Sequence, residues 1–469
     1  MAEWNDENIL DKATFLENFR NCLSDALIID STYPVQGSYI LLPFGLQLKS
    51  MIFQYFIRCF TNVLQARQVE IPLRIPQDYI MVHSPFSVIE ENPDYLEQIP
   101  LKSLGGADSD QPPFFRGALD LGLYHLLKKS IRSYRDLPQA WFTQGYTMRG
   151  DSGIPLARDP EVEFLEGIIA ISPDEEQLDL FINNLIRAFT ATFEDLGIPI
   201  VPLWKPAFAE RFLENKSIKF FTYIPRTRAV ISVGIIHFFH GYPAKHFKVQ
   251  VQNLEQQNVQ PWIINFGITQ RVLFAFLVHH LDDLGFNLSP SHTPIQVSAV
   301  LRSKASEREQ DEQSMLKILE SLKDQTTLLY SPNQPVKRNL VLSESQGIPL
   351  RLEAGGREFS SNQMTLFKRD LQEKEVVPIA ELQNKVESEL ESIEQRFREK
   401  FLIRKHVMNS WIEKGFVEQK ILCNNCQEDL EETSRVLGRE ISFKSPVGTQ
   451  KCETCGTPVA VPVFTGNNW

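Results

Sequence analysis

The sequence predicts an α+β protein: an antiparallel sheet flanked by helices, then a separate α/β domain, then a cysteine-bearing C-terminal domain. Three observations lead there. From 114 to 285, β-type runs such as AVISVGIIHFF and HFKVQVQ alternate with longer helical stretches such as EEQLDLFINNLIRAFTATFEDLG. After HTPIQVSAVL at 292–301 the pattern becomes a strand and helix rhythm, through SMLKILESL and then LVLSESQGIPLRLEAGG. Near the chain end, Cys423, Cys426, Cys452 and Cys455 stand as CNNC and CETC.

Taken in order, residues 8–70 read as helices around a strand. The second helix, LQLKSMIFQYFIRCFTNVL, places Leu46, Met51, Phe53, Phe56 and Ile57 on one broad apolar face, which suits core packing or a subunit interface. The turn-rich SPSHTP ends the sheet-bearing region and gives domains at 1–290, 291–378 and 379–469. Residues 379–415, from IAELQNKVESELESIEQRFREKF onward, read as one long charged helix with a solvated face. No internal repeat or low-complexity tract interrupts the chain.

With 469 residues, 42% hydrophobic and 23% charged, the chain can bury large cores. No apolar run reaches the ~18–20 residues a membrane span needs, and MAEWNDENIL lacks a signal pattern, so a cytoplasmic protein without a membrane partner is expected. A net charge of -11 argues against coating DNA or RNA by bulk electrostatics, although a local basic face can dock a folded RNA. Cys22 and Cys59 stand in helical patterns as packed thiols. The paired CxxC module has the spacing of a tetrahedral thiolate zinc site, structural in kind because four thiolates leave no open position. His237, His240 and His246 lie close in sequence without cysteine or HExxH-like spacing, which reads as a strand-and-loop edge. His279 and His280 read as packing or solvated residues of a helix.

The fragments YPVQGSYILLPFG, RSYRDLP at 132–138, EFLEG at 163–167 and TQRVLFAFLVHHLDDLGF at 269–286, with the terminal CxxC pairs, occur in a telling order and spacing. Together they resemble prolyl-tRNA synthetases of the archaeal and eukaryotic architecture, over roughly residues 12–469. That resemblance implies a class II aminoacyl-tRNA synthetase-like antiparallel catalytic domain, an anticodon-binding α/β domain and a C-terminal zinc-binding domain. LLPFG is similar to the first class II motif, whose proline, here Pro43, implies a homodimer. Arg149, Asp151 and Arg158 match the second motif, with the return strand at 161–167. Arg149 would hold the α-phosphate of ATP and the amino-acid carboxylate, and Arg158 the outer phosphates. In GITQR, Arg271 would clamp the γ-phosphate, with Lys245 near the same site. Fixed guanidinium groups, with Mg2+ accompanying ATP, suit this chemistry, because carboxylate attack on phosphorus builds negative charge and needs no covalent catalyst.

Departures from the family pattern cluster at the amino-acid pocket. Arg116, Gly117, Ala118, Leu119 and Asp120 stand at the family's RPTSE signature, and Phe164, Leu165, Glu166, Gly167 and Ile168 at its WQEGH. Asn265 replaces a serine, Val162 replaces the aromatic that stacks on adenine, and FHGYPAKHF replaces HHLGQNF. Ala118, Asp120, Phe164, Glu166, Ile168 and Asn265 are thus the implied substrate-binding residues, with Asp120 and Glu166 orienting the amino group. An apolar pocket separates ligands by only ~1–3 kcal/mol per methylene, so losing polar groups predicts a changed substrate. Pro349, Arg351 and Glu353 match residues that read the two guanines of the proline anticodon, with Gly355 and Arg357 keeping the turn. No room remains between Glu166 and Arg271 for the bacterial-type editing insertion. The expected activity is adenylation of an amino acid, proline or a different one, and transfer to tRNA. Two alternatives stand: delivery to a non-tRNA acceptor, and a non-catalytic paralogue that binds tRNA or regulates another enzyme.

Overall fold

The computed structural model describes residues 9–35, 37–76, 114–116, 118–148, 154–205, 216–323, 326–422, 426, 436–440 and 450–468. Arg149, Asp151 and Cys423 lie outside these residues, as do Gly117 and Trp469.

The largest element is an 11-stranded sheet. Its strands are β1 (Arg67–Val69), β2 (Gln139–Met148), β3 (Glu161–Ile171), β4 (Val201–Lys205), β5 (Lys216–Ile224), β6 (Ala229–Phe239) and β7 (Trp262–Thr269) in the first part of the chain. They run in the order β4-β5-β6-β7-β3-β2-β1, antiparallel except for β1, which lies parallel to β2. Helices cover both sides of the sheet, so its strands carry apolar residues on both faces, interrupted in β2, β3 and β7 by polar ones such as Thr143, Glu163, Glu166 and Asn265. On one side α2 (Pro43–Arg58), α4 (Glu175–Asp195) and α6 (Arg271–His279) cover Phe142, Leu165, Ile169, Phe266 and Ile268. This layer is built from rings: Phe60 meets Phe266 edge-on at 4.8 Å, and Phe189 stacks on Phe220 at 5.2 Å. Such pairs add about 0.5–1.5 kcal/mol each beyond their burial. On the other side α3 (Asp120–Ser130) and the short α5 (Tyr242–His246) pack on Ile168, Ala170, Phe239 and Ile263.

Two expectations from periodicity need correction. In α2, Phe53 and Phe56 enter the core with Leu48 and Ile52, but Leu46 is 49% exposed and points away from it. Leu46 lies on the same side of α2 as Phe53 and Ile57, so its exposure goes with its place in the first turn of the helix and not with a rotation out of the stripe. The run HFKVQVQ forms strand only at Val251–Gln252. Phe247 instead ends α5, its amide bonded to Pro243 O, and Val249 N donates to Ala244 O at 2.7 Å, so the last turn of the helix uses the hydrogen bonds a strand would need.

A second sheet follows, ordered β9-β8-β10-β11-β12: β8 (Val297–Leu301), β9 (Leu328–Tyr330), β10 (Leu350–Ala354), β11 (Gln363–Lys368) and β12 (Glu373–Pro378). Its first three strands are parallel, through α7 (Arg308–Leu322) and α8 (Val336–Ser345), as a strand and helix rhythm requires. The long helix is α9 (Leu382–Asn409). Leu382, Val386, Ile393 and Phe397 belong to the core of the second sheet, while Val407 and Met408 pack with Trp411, Phe221 and Tyr223 against the first. Beyond α9, β13 (Val417–Leu422), β14 (Val436–Glu440), β15 (Gln450–Lys451) and β16 (Pro458–Asn468) join the large sheet, β14 pairing with β4 and β16 with β6. No described helix is long and apolar enough to cross a membrane.

The two sheets meet near α1 (Lys12–Asp25), where Ser345 and Gln346 donate to the carbonyls of Asp25 and Ala26 and Arg369 grips Asp282 with two nitrogens at 2.7 and 2.9 Å. Gly347 sits in this junction at φ +72, where a Cβ would lie 2.5 Å from Phe286 O. Both the backbone conformation and the contact exclude a side chain. Gly347→Ala is expected to lower unfolding stability by about 1–3 kcal/mol, read as a shift in the urea midpoint with unchanged slope.

Candidate active site

On the α3 side of the sheet, cross-strand register sets Thr143 opposite Glu166 and Asn265 opposite Ile168, so all four residues share one face. Ile264, Phe266 and Ile268, which alternate with Asn265 along β7, are held in the aromatic layer behind. Asn265 is 2% exposed, and its Nδ2 donates to Asp120 Oδ2 at 2.9 Å and to Glu166 Oε1 at 3.0 Å. Glu166 Oε2 accepts from the amide of Leu119 at 2.9 Å, which fixes the start of α3 against β3. Asp120, the first residue of α3, is fully buried, and Tyr124 one turn later approaches it at 3.4 Å. Placing a carboxylate in the first helical turn also aligns it with the helix dipole.

Three of the implied pocket residues, Asp120, Glu166 and Asn265, are thus hydrogen-bonded to one another. Ala118 and Phe164 are half-buried beside them. Ile168 is fully buried in the α3-side core. Arg116 is also buried: Nη1 donates to the carbonyls of Ile71 and Pro72 at 2.7 and 3.0 Å, and Nε to Tyr146 O at 3.3 Å. Burial draws its pKa down, against the opposing charge of Glu166. It holds backbone together behind the pocket.

At the far end of β7, Arg271 begins α6. Its Nε donates to Ala157 O at 2.9 Å and its Nη1 to Ser232 O at 3.2 Å, tying the segment before Arg158 to β6. Arg158 is exposed, as is Lys245 on α5, and Val162 is half-buried. Beside them lies a group that residue spacing did not reveal. Gln270 donates to Asp159, which also accepts from Tyr39 Oη at 2.9 Å and from the Leu156 amide at 3.1 Å. Behind Phe164, Lys49 pairs with Glu163 at 2.6 Å and donates to Tyr146 Oη at 3.0 Å, while Gln144 donates to Glu163 at 2.9 Å. Burial lowers the Lys49 pKa, but its bonds and charge contacts with Glu163 and Tyr146 prevail and raise it. A lone lysine inside the apolar run LQLKSMIFQYF was the available signal.

The remaining implied sites differ in how open they are. Pro349 is buried, and Arg351 and Glu353, on β10, are 3% and 2% exposed. Arg351 donates to Glu353, Glu344, Ser343 and Leu340 O, and its guanidinium lies 4.1 Å from the Phe367 ring centre. Glu353 also pairs with Arg302 and Lys374. At the chain end, the sulfurs of Cys426, Cys452 and Cys455 all lie within 4.8 Å of one another, a separation that a tetrahedral zinc with ~2.3 Å bonds accommodates. His279 and His280 are buried packing residues, and His279 Nε2 lies 2.8 Å from Thr222 Oγ1.

Residues 119–280 match the family described as tRNA synthetase class II core domain (G, H, P, S and T), and residues 299–389 match Anticodon binding domain. The proline-tRNA ligase of Mesoplasma florum is 24% identical, over 92% of each chain. That of Methanopyrus kandleri is 25% identical, covering 94% of this chain and 88% of its own. In structure, a Giardia lamblia prolyl-tRNA synthetase in complex with prolyl-adenylate superimposes with a TM-score of 0.80 at 20% identity, over 98% of this chain and 99% of its own.

The buried Asp159 offers a direct test of the network beside Arg271. Burial raises its carboxyl from 3.8 to about 6, outweighing the hydrogen bonds from Tyr39 and Gln270. A raised folded pKa means that the folded state binds the proton more tightly. Its contribution to stability is therefore full below pH 3.8 and lost as pH rises through about 6. Relative to Asp159→Asn, the natural chain is expected to lose roughly 2–3 kcal/mol of unfolding stability between pH 4 and 6.5 in urea titrations.

Proposed function

Since the chain belongs to the class II prolyl-tRNA synthetase family, we propose that it is an ATP-dependent aminoacyl ligase whose amino acid differs from proline and whose acceptor is a tRNA. The observation that supports this reading is the bonded Asp120, Asn265 and Glu166 cluster, on the same β7 that leads into Arg271. A carboxylate pair, Asp120 buried and Glu166 half-buried, attracts the cationic amino group and leaves the substrate carboxylate to point toward the arginine side. In the first step a carboxylate oxygen bonds to the α-phosphorus, the bond to the bridging oxygen breaks, and pyrophosphate leaves with the electron pair. In the second, a ribose hydroxyl of tRNA attacks the mixed anhydride, loses its proton, and AMP departs. Arg149, Arg158 and Arg271 are proposed to hold ATP with its Mg2+, Asp151 to position Arg149, and Phe164 with Ala118 to contact the substrate side chain.

Pyrophosphate exchange with ATP, Mg2+ and each of the twenty amino acids tests this proposal. Exchange is expected with an amino acid other than proline, and Arg271→Ala should reduce it at least ~100-fold. Arg271 also joins two carbonyls, so Arg271→Lys and a circular dichroism spectrum separate lost chemistry from lost folding. Absence of exchange with every amino acid from folded protein would sink the proposal.

A second reading changes only the acceptor, to a metabolite, peptide or carrier protein. The engagement of Arg351 and Glu353 within the protein favours it, since a base must displace bonds already made. Acylation of purified tRNA decides between the two. For the oligomer, a homodimer is supported by exposed Tyr33, Val35, Ile40 and Leu46 around the start of α2 at Pro43.

The zinc proposal assigns Cys423, Cys426, Cys452 and Cys455 as ligands in a structural role. Purified protein is expected to carry one zinc per chain by elemental analysis. Chelation, or Cys452→Ser, should lower the melting temperature by several degrees while the amino-acid pocket still binds ligand.

A further inference from the structure

Two bonds between neighbouring pairs of residues set Arg158 against Arg271. The turn before Arg158 closes on Ile154 O, which accepts from the amides of Ala157 at 3.0 Å and Arg158 at 2.8 Å, with Leu156 in the left-handed region at φ 69. Asp159 completes that turn, its Oδ1 accepting from the Leu156 amide at 3.1 Å. Across from it, Gln270 is locked to β3: its backbone amide donates to Glu163 O at 2.9 Å, and its Oε1 accepts from the Glu163 amide at 3.3 Å. That second bond fixes which side-chain atom is the oxygen, leaving Nε2 as a donor aimed at Asp159 Oδ2, where Tyr39 Oη also donates at 2.9 Å. Arg271 Nε meanwhile donates to Ala157 O at 2.9 Å. Residues 157 and 159 are thus bonded to residues 271 and 270, and Arg158 stands between them with its side chain exposed.

Asp159 is 4% exposed, and burial raises its carboxyl only to about 6, so it is ionised at neutral pH. A buried carboxylate is costly unless donors satisfy it, and two of its three donors come from segments 120 and 111 residues away. Closing the turn requires only the Leu156 amide; the bond from Gln270 joins the turn to the residue immediately before Arg271. We propose that Asp159 is a positioning residue for the nucleotide: by holding Gln270 and the 154–158 turn in one network, it fixes Arg158 relative to Arg271 so that both meet the outer phosphates of one ATP. The proposal rests on the ligase reading for the identity of the ligand. A carboxylate repels phosphate, so Asp159 acts through the arginines on either side and not by contact. Two guanidinium groups already set at the right separation bind a polyphosphate without a further ordering cost.

Exchanging the bonded partners tests this. Asp159→Asn sets a donor against the Gln270 donor, and Gln270→Glu sets a carboxylate against a carboxylate. The two changes together restore one donor and one acceptor in reversed order, and the new carboxylate still accepts from the Glu163 amide. ATP with Mg2+, and separately AMP, are titrated calorimetrically into each full-length protein, with circular dichroism to establish folding. Each single substitution is expected to weaken ATP binding at least ~10-fold and AMP binding by less than about 3-fold, and the double substitution to return ATP affinity to within about 3-fold of the natural protein. Gln270→Met, which removes the donor and keeps the length of the side chain, supplies the same ATP and AMP comparison where another variant does not fold. Unchanged ATP affinity in the folded single variants, or equal weakening of ATP and AMP, overturns the proposal and leaves the ligase reading standing. A folded double variant as weak as the single ones overturns it as well. A natural protein that binds neither nucleotide removes both the ligase reading and the proposal.

Discussion

Asn265 can hold two carboxylates together only because its neighbours on β7, Ile264 and Phe266, are locked in the aromatic layer on the opposite face. Strand alternation makes this coupling rigid. A one-residue slip of β7 would drive Asn265 into the ring cluster and expose Phe266 to the pocket. The register with β3 therefore does two tasks, closing the core around Phe60, Phe142 and Phe189 and placing one amide at the start of α3. Gly167 shows how close the fit is: a Cβ there would lie 2.5 Å from the Phe266 ring and 2.8 Å from Trp141 O. The absence of a side chain in one strand lets the next carry a large one.

The same economy of register governs the larger assembly. α9 begins in the core of the second sheet and ends in a cluster with Tyr223 and Phe221 of the first, so one continuous helix sets the spacing between them. Its flanks are fastened on the way, by Arg396 to Asp370 and by Lys405 to Glu194, both at 2.5 Å. The Lys405 pair is open to solvent and contributes little, the Arg396 pair satisfies a carboxylate that is 1% exposed, and the apolar contacts at the two ends carry the connection. The strands that follow return to β4 and β6, with Asn467 and Asn468 beside Ala229 and Val230. At this end Cys426 and Cys452 pack with Leu422 and Val463 of the strands that join the large sheet.

Much of this arrangement was legible in the residues. The β-type run at 229–239 and the helical run at 175–197 each appear as an element of that kind, and the long helix read over 379–415 appears as Leu382–Asn409. HFKVQVQ misled because a helix ending uses local hydrogen bonds that alternation of side chains does not encode. Leu46 misled because apolarity alone does not say whether a face meets the core or the outside of the molecule. For the site, family spacing pointed to Asp120, Glu166 and Asn265 one by one, but that they bond to one another depends on strand register. Asp159 and Lys49 belong to no quoted fragment, and Gln270, although part of GITQR, drew no reading of its own, since their partners come from elements 97 to 120 residues apart.

The proposed amino-acid pocket and the arginines proposed to hold ATP differ in what they would demand of a family member that changes substrate. Phosphate groups are the same for every amino acid, so arginines that hold them can stay while the pocket is rebuilt. The pocket cannot be altered one residue at a time, because Asn265 is useful only while Asp120 and Glu166 both accept from it. Replacing it with a shorter hydroxyl removes at least one of the two hydrogens that bridge the acids, leaving Glu166 its bond from the Leu119 amide and Asp120 its bond from Tyr124, and like charges held close raise each other's proton affinity. Placing Asn265 between the two acids removes that conflict through its two amide hydrogens, while its Oδ1 stays buried with no hydrogen-bond partner among the described residues.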